Sequence, residues 1–320
     1  MTTHHKWTVN DIPDQTGKIV LITGANSGLG YETALALAGK GAQVIMACRS
    51  LAKGNEARQH VRAQFPDASV EVMQLDLGSL TSVRQFAKTF TDRYNRLDML
   101  INNAGIMAPP RQETVDGFEA QFGINHLGHF ALTGLLIETI TQTPASRIVN
   151  ISSSAQYMGK INFNDLQHTR SYSRYLVYSQ SKLANVLFTF ELQRRLEQAG
   201  FDTISVVTHP GFSSTHLQIN TANATGSKLE RFTYGVMMPS VAQSQAQGAL
   251  PQLYAATVPG VKGGEHFGPD GFLQMRGYPT RHRAARAAYN EADAKKLWEV
   301  SERLTGVEYT ILRRSREMVS

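Results

Sequence analysis

Residues 18–30, KIVLITGANSGLG, decide the fold. The run from Ile19 to Thr23 is apolar or β-branched without alternation, too uniform for a strand with one wet face, and fits a strand covered on both sides. It ends in Thr23–Gly30, TGANSGLG, after which the spacing turns helical over residues 28–40. Glycine at a strand-to-helix turn lets the backbone approach a ligand closely. The helix N-terminus adds free N–H groups and the positive end of its dipole, so a pyrophosphate suits the turn. Glycine-rich turns also occur without ligands, and this one gains its meaning from the chain around it.

From residue 18 onward the alternation repeats. KIVLIT, AQVIMAC, VEVMQLD, DMLINN, RIVNIS and TISVVTH read as buried strands, separated by helical patterns over 28–40, 50–64, 79–94, 114–142 and 172–199. Strict β/α alternation predicts an α/β fold with a parallel sheet of about seven strands and helices on both faces. No Gly/Ser-rich or Pro-rich linker and no repeat of solenoid period interrupts it, so residues 1–320 read as a single Rossmann domain with an N-terminal arm over 1–16. The stretch from about Phe212 to Ser244 breaks the rhythm. Long irregular insertions in compact domains are usually functional, and this one reads as a substrate-covering lid carrying Phe212, Leu217, Phe232, Tyr234, Met237 and Met238, each of which also suits ordinary core.

With 42% apolar and 18% charged residues among 320, the chain has globular composition. Its one cysteine, Cys48, excludes an internal disulfide and a multi-cysteine metal site, and suits a reducing cytoplasm. Cys48 closes an apolar run and reads as a packed strand-end thiol. His4 and His5 sit on a polar arm and read as solvated, so no metal site is expected. No apolar run reaches membrane-spanning length, and no signal-peptide core precedes the first strand. A net charge of +6 is compatible with an acidic ligand, but no zinc-finger or RNA-binding pattern supports nucleic acid. The basic stretches RGYPTRHRAARAAY and ILRRSRE read as solvated helix faces.

The spacing G-x-x-x-G-x-G, NNAG at Asn102–Gly105, Asn125 in GINHLGHF, VNISSS, Tyr178-x-x-x-Lys182 and HPGFSST follow one another along residues 18–216. In this order they resemble the short-chain dehydrogenase/reductase family. The resemblance implies nicotinamide dinucleotide contacts at Gly24, Asn26, Ser27, Gly28, Leu29 and Gly30, at Asp76 and Leu77, and at Asn103, Ala104 and Gly105. It adds Pro210, Gly211 and Thr215 after the sixth strand, together with Tyr178 and Lys182. Asp76 also suits the N-cap of the helix starting near Ser79. A carboxylate at the end of the second strand would bind a free ribose 2′-hydroxyl; here Arg49 stands there, with Ser50 beside it, and a guanidinium grips a 2′-phosphate. The expected cofactor is therefore NADPH/NADP+.

Tyr178 and Lys182 lie four apart, hence on one helical face. A free tyrosine has a pKa of about 10; a lysine ammonium one turn away, together with the positive nicotinamide of the oxidised cofactor, would stabilise the phenolate, and a lowering by about three units means about 4 kcal/mol. The resemblance makes Tyr178 the acid/base, Lys182 its tuner, Ser153 the hydroxyl orienting the carbonyl, and Asn125 the holder of a water linking Lys182 to solvent. Ser153 and Tyr178 are 25 positions apart, about twice the usual separation. The long spacing, YSQSKLANVLF, ACRS and GPDGF…LWEVSERLTG are similar to the branch of retinol dehydrogenases and WW-domain oxidoreductases. That branch implies an apolar carbonyl or alcohol substrate, while the membrane anchor of retinol dehydrogenases has no counterpart before the first strand. Reduction of a porphyrin C=C bond, as in protochlorophyllide reductases, fits the Tyr/Lys pair but lacks the extra cysteine of that family. NADPH sensing without turnover is the third reading, against which the intact Asn/Ser/Tyr/Lys set speaks. Family members often pair through the Tyr/Lys helix; a homo-oligomer suits the sequence, although the lid and C-terminal extension stand in its way.

Overall fold

The computed structural model describes residues 6–212 and 243–313. Thr215, Leu217, Phe232, Tyr234, Met237 and Met238, and with them nearly all of the expected lid, lie outside the described residues. Strands β1 (Ile19–Thr23), β2 (Gln43–Cys48), β3 (Val70–Gln74), β4 (Met99–Asn102), β5 (Arg147–Ile151), β6 (Ile204–Thr208), β7 (His266–Pro269) and β8 (Pro279–His282) form one sheet. Its order is β3-β2-β1-β4-β5-β6-β7-β8. All neighbours are parallel except the last pair, in which β8 runs antiparallel to β7.

This is the single Rossmann-like domain expected, with one more strand than predicted and that strand reversed. β7 (HFGP) and β8 (PTRH) are four residues long and contain proline, glycine or charge, so they carry no strand signal in sequence; β8 is the edge strand, where proline is tolerated, and Pro269 is the last residue of β7. The basic stretch read as a helix face supplies β8, whose Arg281 pairs with Glu265.

The helices are α1 (Gly28–Ala38), α2 (Leu51–Gln64), α3 (Leu80–Thr91), α4 (Ala120–Phe122), α5 (Gly128–Thr141), α6 (Arg174–Ala199), α7 (Gln245–Thr257) and α8 (Glu291–Thr305). Alternate strand residues feed opposite faces. Leu21, Ile45 and Leu100 pack with Phe86, Phe130 and Phe188 of α3, α5 and α6, whereas Val20, Ile22, Val44 and Met46 pack with Leu37, Val61 and Leu253 of α1, α2 and α7. The uniform apolar runs thus reflect two buried faces. A third layer, with Leu183, Leu187 and Phe190 of α6 against Ala294 and Leu297 of α8, covers the outer side of α6.

The helix expected over 114–142 begins only at Ala120. Gly117 has φ +81°, and Glu119 caps α4 by accepting from the N–H groups of Gln121 and Phe122. Residues Gly123–Leu127 then form a π turn before α5. Asn125 lies within it. The described part of the N-terminal arm, from residue 6, packs on the domain: Trp7 stacks edge-on to Tyr254, ring centroids 5.3 Å apart, and Ile12 is buried.

Candidate active site

The strand order reverses between β1 and β4, and the crevice at the carboxyl ends of the strands opens there. Three loops meet at it. The first is the turn between β1 and α1. Gly24 (φ +68°) and Gly28 (φ +61°) adopt the left-handed region that favours glycine. A Cβ on Gly30 would stand 2.5 Å from both the Gly24 carbonyl and Asn103 Nδ2, so this glycine seats the helix against the strand. A Cβ on Gly28 would meet nothing within 4 Å. Ser27 caps α1 without a side-chain hydrogen bond, and its first turn holds no acidic residue. A concave, glycine-lined helix N-terminus of this kind fits a pyrophosphate.

The second loop follows β4. Asn103 Nδ2 donates to the Thr23 carbonyl at 2.8 Å, and the Asn103 and Ala104 N–H groups both reach Thr23 Oγ1 at 2.9 Å. A Cβ on Gly105 would lie 3.0 Å from Asn125 Oδ1 and 3.5 Å from Lys182 Nζ, so Gly105 stands against both. The third loop follows β5. Ser153 caps a 3-10 turn at Ser154–Met158, its Oγ accepting from the Ala155 N–H at 3.2 Å, and stands near enough to the Tyr178 hydroxyl to favour its ionised form.

Tyr178, Lys182, Ser153 and Asn125 come together at this crevice. Tyr178 and Lys182 are 8% and 5% exposed, with Lys182 Nζ 5.7 Å from the Tyr178 ring centroid. Lys182 donates to the Ile151 carbonyl at 3.2 Å. Asn125 is tied down by its side chain, which exchanges bonds with the Ile106 N–H and carbonyl at 2.8 and 2.9 Å and donates to Ser181 Oγ at 2.9 Å.

Burial dominates the electrostatics of the protein by itself. Burial pushes the Tyr178 phenol up to about 12, against a smaller lowering from Ser153. Burial also lowers Lys182 to about 8. The protein alone therefore does not acidify the phenol, because desolvation outweighs the favourable contact when both groups are this deeply buried.

The remaining predicted positions are at the crevice rim. Arg49 is exposed just past β2. Ser50 is committed to capping α2, its Oγ accepting from the Lys53 N–H at 3.4 Å. Asp76 is not the cap of α3, a role taken by Ser79; its Oδ1 accepts from the Gly78 N–H at 2.9 Å instead. Leu77 is buried. Pro210 and Gly211 follow His209, whose Nδ1 accepts from the Gly211 N–H at 3.2 Å, the structural role expected of it. Cys48 is a buried strand-end thiol raised by desolvation.

Sequence reading passed over Thr23, Ser152, Ser181 and His129. Ser152 Oγ donates to the Lys182 carbonyl at 2.8 Å, which separates its work from that of Ser153. The repeated hydroxyls of VNISSS and YSQSK were the available signal, but which hydroxyl faces which group is a matter of tertiary contact. Among the described residues no His/Cys/Asp/Glu group could hold a metal, and no helix is long and apolar enough to cross a membrane.

A doubly wound sheet, a glycine-lined turn at its switch point and a buried Ser/Tyr/Lys/Asn set together define a dehydrogenase. The family model for short chain dehydrogenases matches residues 18–225, and the chain belongs to that family. Within it, the chain is similar to human retinol dehydrogenase 13, at 42% identity over 91% of this chain and 86% of that protein. It is also similar to mouse retinol dehydrogenase 11, at 41% over 91% and 87%. A Mycobacterium paratuberculosis protein of known crystal structure aligns with TM-score 0.79 and 42% identity over 95% of this chain and 99% of its own. A short-chain dehydrogenase of Escherichia coli CFT073, complexed with NADPH, aligns at TM-score 0.61 and 22% identity over 79% and 97%, a likeness of fold. The chain is accordingly an oxidoreductase of the alcohol/carbonyl class.

Proposed function

We propose that this chain is an NADPH-dependent reductase and dehydrogenase for an apolar aldehyde, ketone or alcohol. The observation that carries the reading is the buried Tyr178/Lys182 pair, with Lys182 Nζ 5.7 Å from the Tyr178 ring centroid, facing the Ser153 turn. A bound nicotinamide supplies or takes the hydride. Tyr178 exchanges the proton with the substrate oxygen, which Ser153 orients. Lys182 stands beside the phenol, and its charge together with that of a bound oxidised nicotinamide would offset the burial that raises the phenol. Asn125, fixed by Ile106 and Ser181, holds a water that connects Lys182 with solvent.

Preference for the phosphorylated cofactor is supported by exposed Arg49 where a carboxylate would stand for NADH. An apolar substrate is supported by similarity to retinol dehydrogenases and by the rim of the crevice. Met158 and Leu176 are 71% and 59% exposed and Phe272 is 82% exposed. Tyr157 ties this rim together by donating to the Arg283 carbonyl at 2.7 Å.

The test is a panel of apolar aldehydes and ketones with NADPH and NADH, read at the reduced-nicotinamide absorbance. NADPH-linked turnover is expected, and Tyr178→Phe should lower kcat by roughly a thousandfold, within the range of general acid–base catalysis, with NADPH affinity within about twofold. Turnover by Tyr178→Phe at the wild-type rate refutes the assignment.

A further inference from the structure

His129 is a fully buried imidazole in the first turn of α5, 2% exposed, outside the set given a chemical role above. Its two ring nitrogens span the site. Nε2 lies 2.9 Å from Thr23 Oγ1, and Nδ1 lies 3.1 Å from the Asn125 carbonyl.

The hydrogen-bond inventory allows one protonation state. Thr23 Oγ1 accepts the Asn103 and Ala104 N–H groups, the first of them shared with the Ile101 carbonyl. Two acceptances fill the hydroxyl's lone pairs, so its single proton must be donated. His129 Nε2 at 2.9 Å takes it in preference to the Ile101 carbonyl at 3.5 Å. The Asn125 carbonyl can only accept, so the ring proton sits on Nδ1. An imidazolium would turn an N–H against a hydroxyl with no lone pair left. The titratable neighbours, Lys182 on α6 and His126 in the π turn, add positive charge or nothing, and burial holds His129 down at about 4.

We propose that His129 is a positioning residue: its neutral Nδ1–H ring couples the carbonyl of Asn125 to the Asn103–Gly105 loop, so that the proton relay and the cofactor floor are held as one unit. This rests on the roles assigned above to Asn125 and that loop. Loss of the ring leaves the Asn125 carbonyl and the Thr23 proton to re-pair separately, and both ends of the site loosen together.

Two measurements test it. In 15N-histidine NMR of the native protein, the His129 ring is expected neutral with its proton on Nδ1 at pH 6; an Nε2–H tautomer or an imidazolium overturns the inference. His129→Leu is expected to raise the NADPH dissociation constant and to lower kcat, each by about tenfold or more, as small displacements of reacting groups do. In His129→Gln, the amide can donate to Asn125 and accept from Thr23, so both values should return to within about threefold of wild type. Equal losses in the two variants, or none in His129→Leu, refute the coupling while leaving the oxidoreductase reading intact. Absence of carbonyl turnover in wild type, with the tautomer and the Leu/Gln difference in NADPH affinity preserved, refutes that reading and supports the coupling.

Discussion

Lys182 is buried at a price in stability that its position explains. Its folded pKa of about 8 lies below the usual 10.5, a difference equivalent to about 3 kcal/mol. Below pH 8 the lysine is charged in both states and that penalty is fully present. As pH rises from about 8 to 10.5 the folded protein loses its proton first, and stability rises. Tyr178, raised to about 12 from 10, acts in the opposite sense above pH 10, because only the unfolded phenol ionises there. Lys182→Met should therefore be more stable than wild type at pH 7, by up to about 3 kcal/mol, with the advantage shrinking between pH 8 and 10. The Ile151 carbonyl keeps a partner in Asn185, at 3.1 Å. Urea titrations across that range check the trend; a stability difference independent of pH would contradict it. At the other end of the site, Arg49→Asp should reduce the preference for NADPH over NADH by roughly tenfold to a hundredfold, the worth of a charge-assisted bond. Dissociation constants for the two cofactors measure it directly.

The glycine turn and the π turn show how elements serve the site. Gly28 and Gly30 are two residues apart, yet a methyl group would act differently at each. At Gly30 it would stand 2.5 Å from a backbone oxygen, so Gly30→Ala should push α1 from the strand, lowering stability and abolishing NADPH binding together. At Gly28 it would meet open space but would have to adopt φ +61°, a strain of roughly 1–2 kcal/mol. Gly28→Ala should therefore fold, with weakened cofactor binding as the larger effect. Calorimetric binding beside thermal melts separates the two, and equal behaviour would count against the close-approach explanation. The π turn was not legible. GINHLGHF reads as continuous helix because its apolar spacing is helical; the extra residue in the turn follows from how Asn125, Ile106 and His129 bond across elements.

Across the whole molecule, the C-terminal helix completes the core. Phe130, Phe188, Trp298 and Tyr309 form one aromatic cluster, with Trp298 and Tyr309 centroids 4.5 Å apart. Tyr309 also donates to the Phe130 carbonyl at 2.7 Å. Trp298→Ala should cost about 3–5 kcal/mol, as large-to-small core changes do, measurable as a drop in the urea midpoint. The same packing bears on assembly: residues 177–193 of α6 are buried within the single chain, partly by α8. Pairing through this helix, which the family resemblance suggested, would require α8 to leave.

The alternation of strands and helices, the glycine turn and the residue types at the centre were legible in the chain because buried parallel strands, tight turns and helical faces impose local patterns. Six strands and the Tyr178/Lys182 spacing needed only neighbours in sequence to be recognised. Strands β7 and β8, the separate tasks of Ser152 and Ser153, the raised phenol and the role of His129 were decided by tertiary structure. Hydrogen-bond partners and desolvation depend on groups far apart in the chain: His129 meets Thr23 across 106 positions, a distance over which sequence periodicity carries no information.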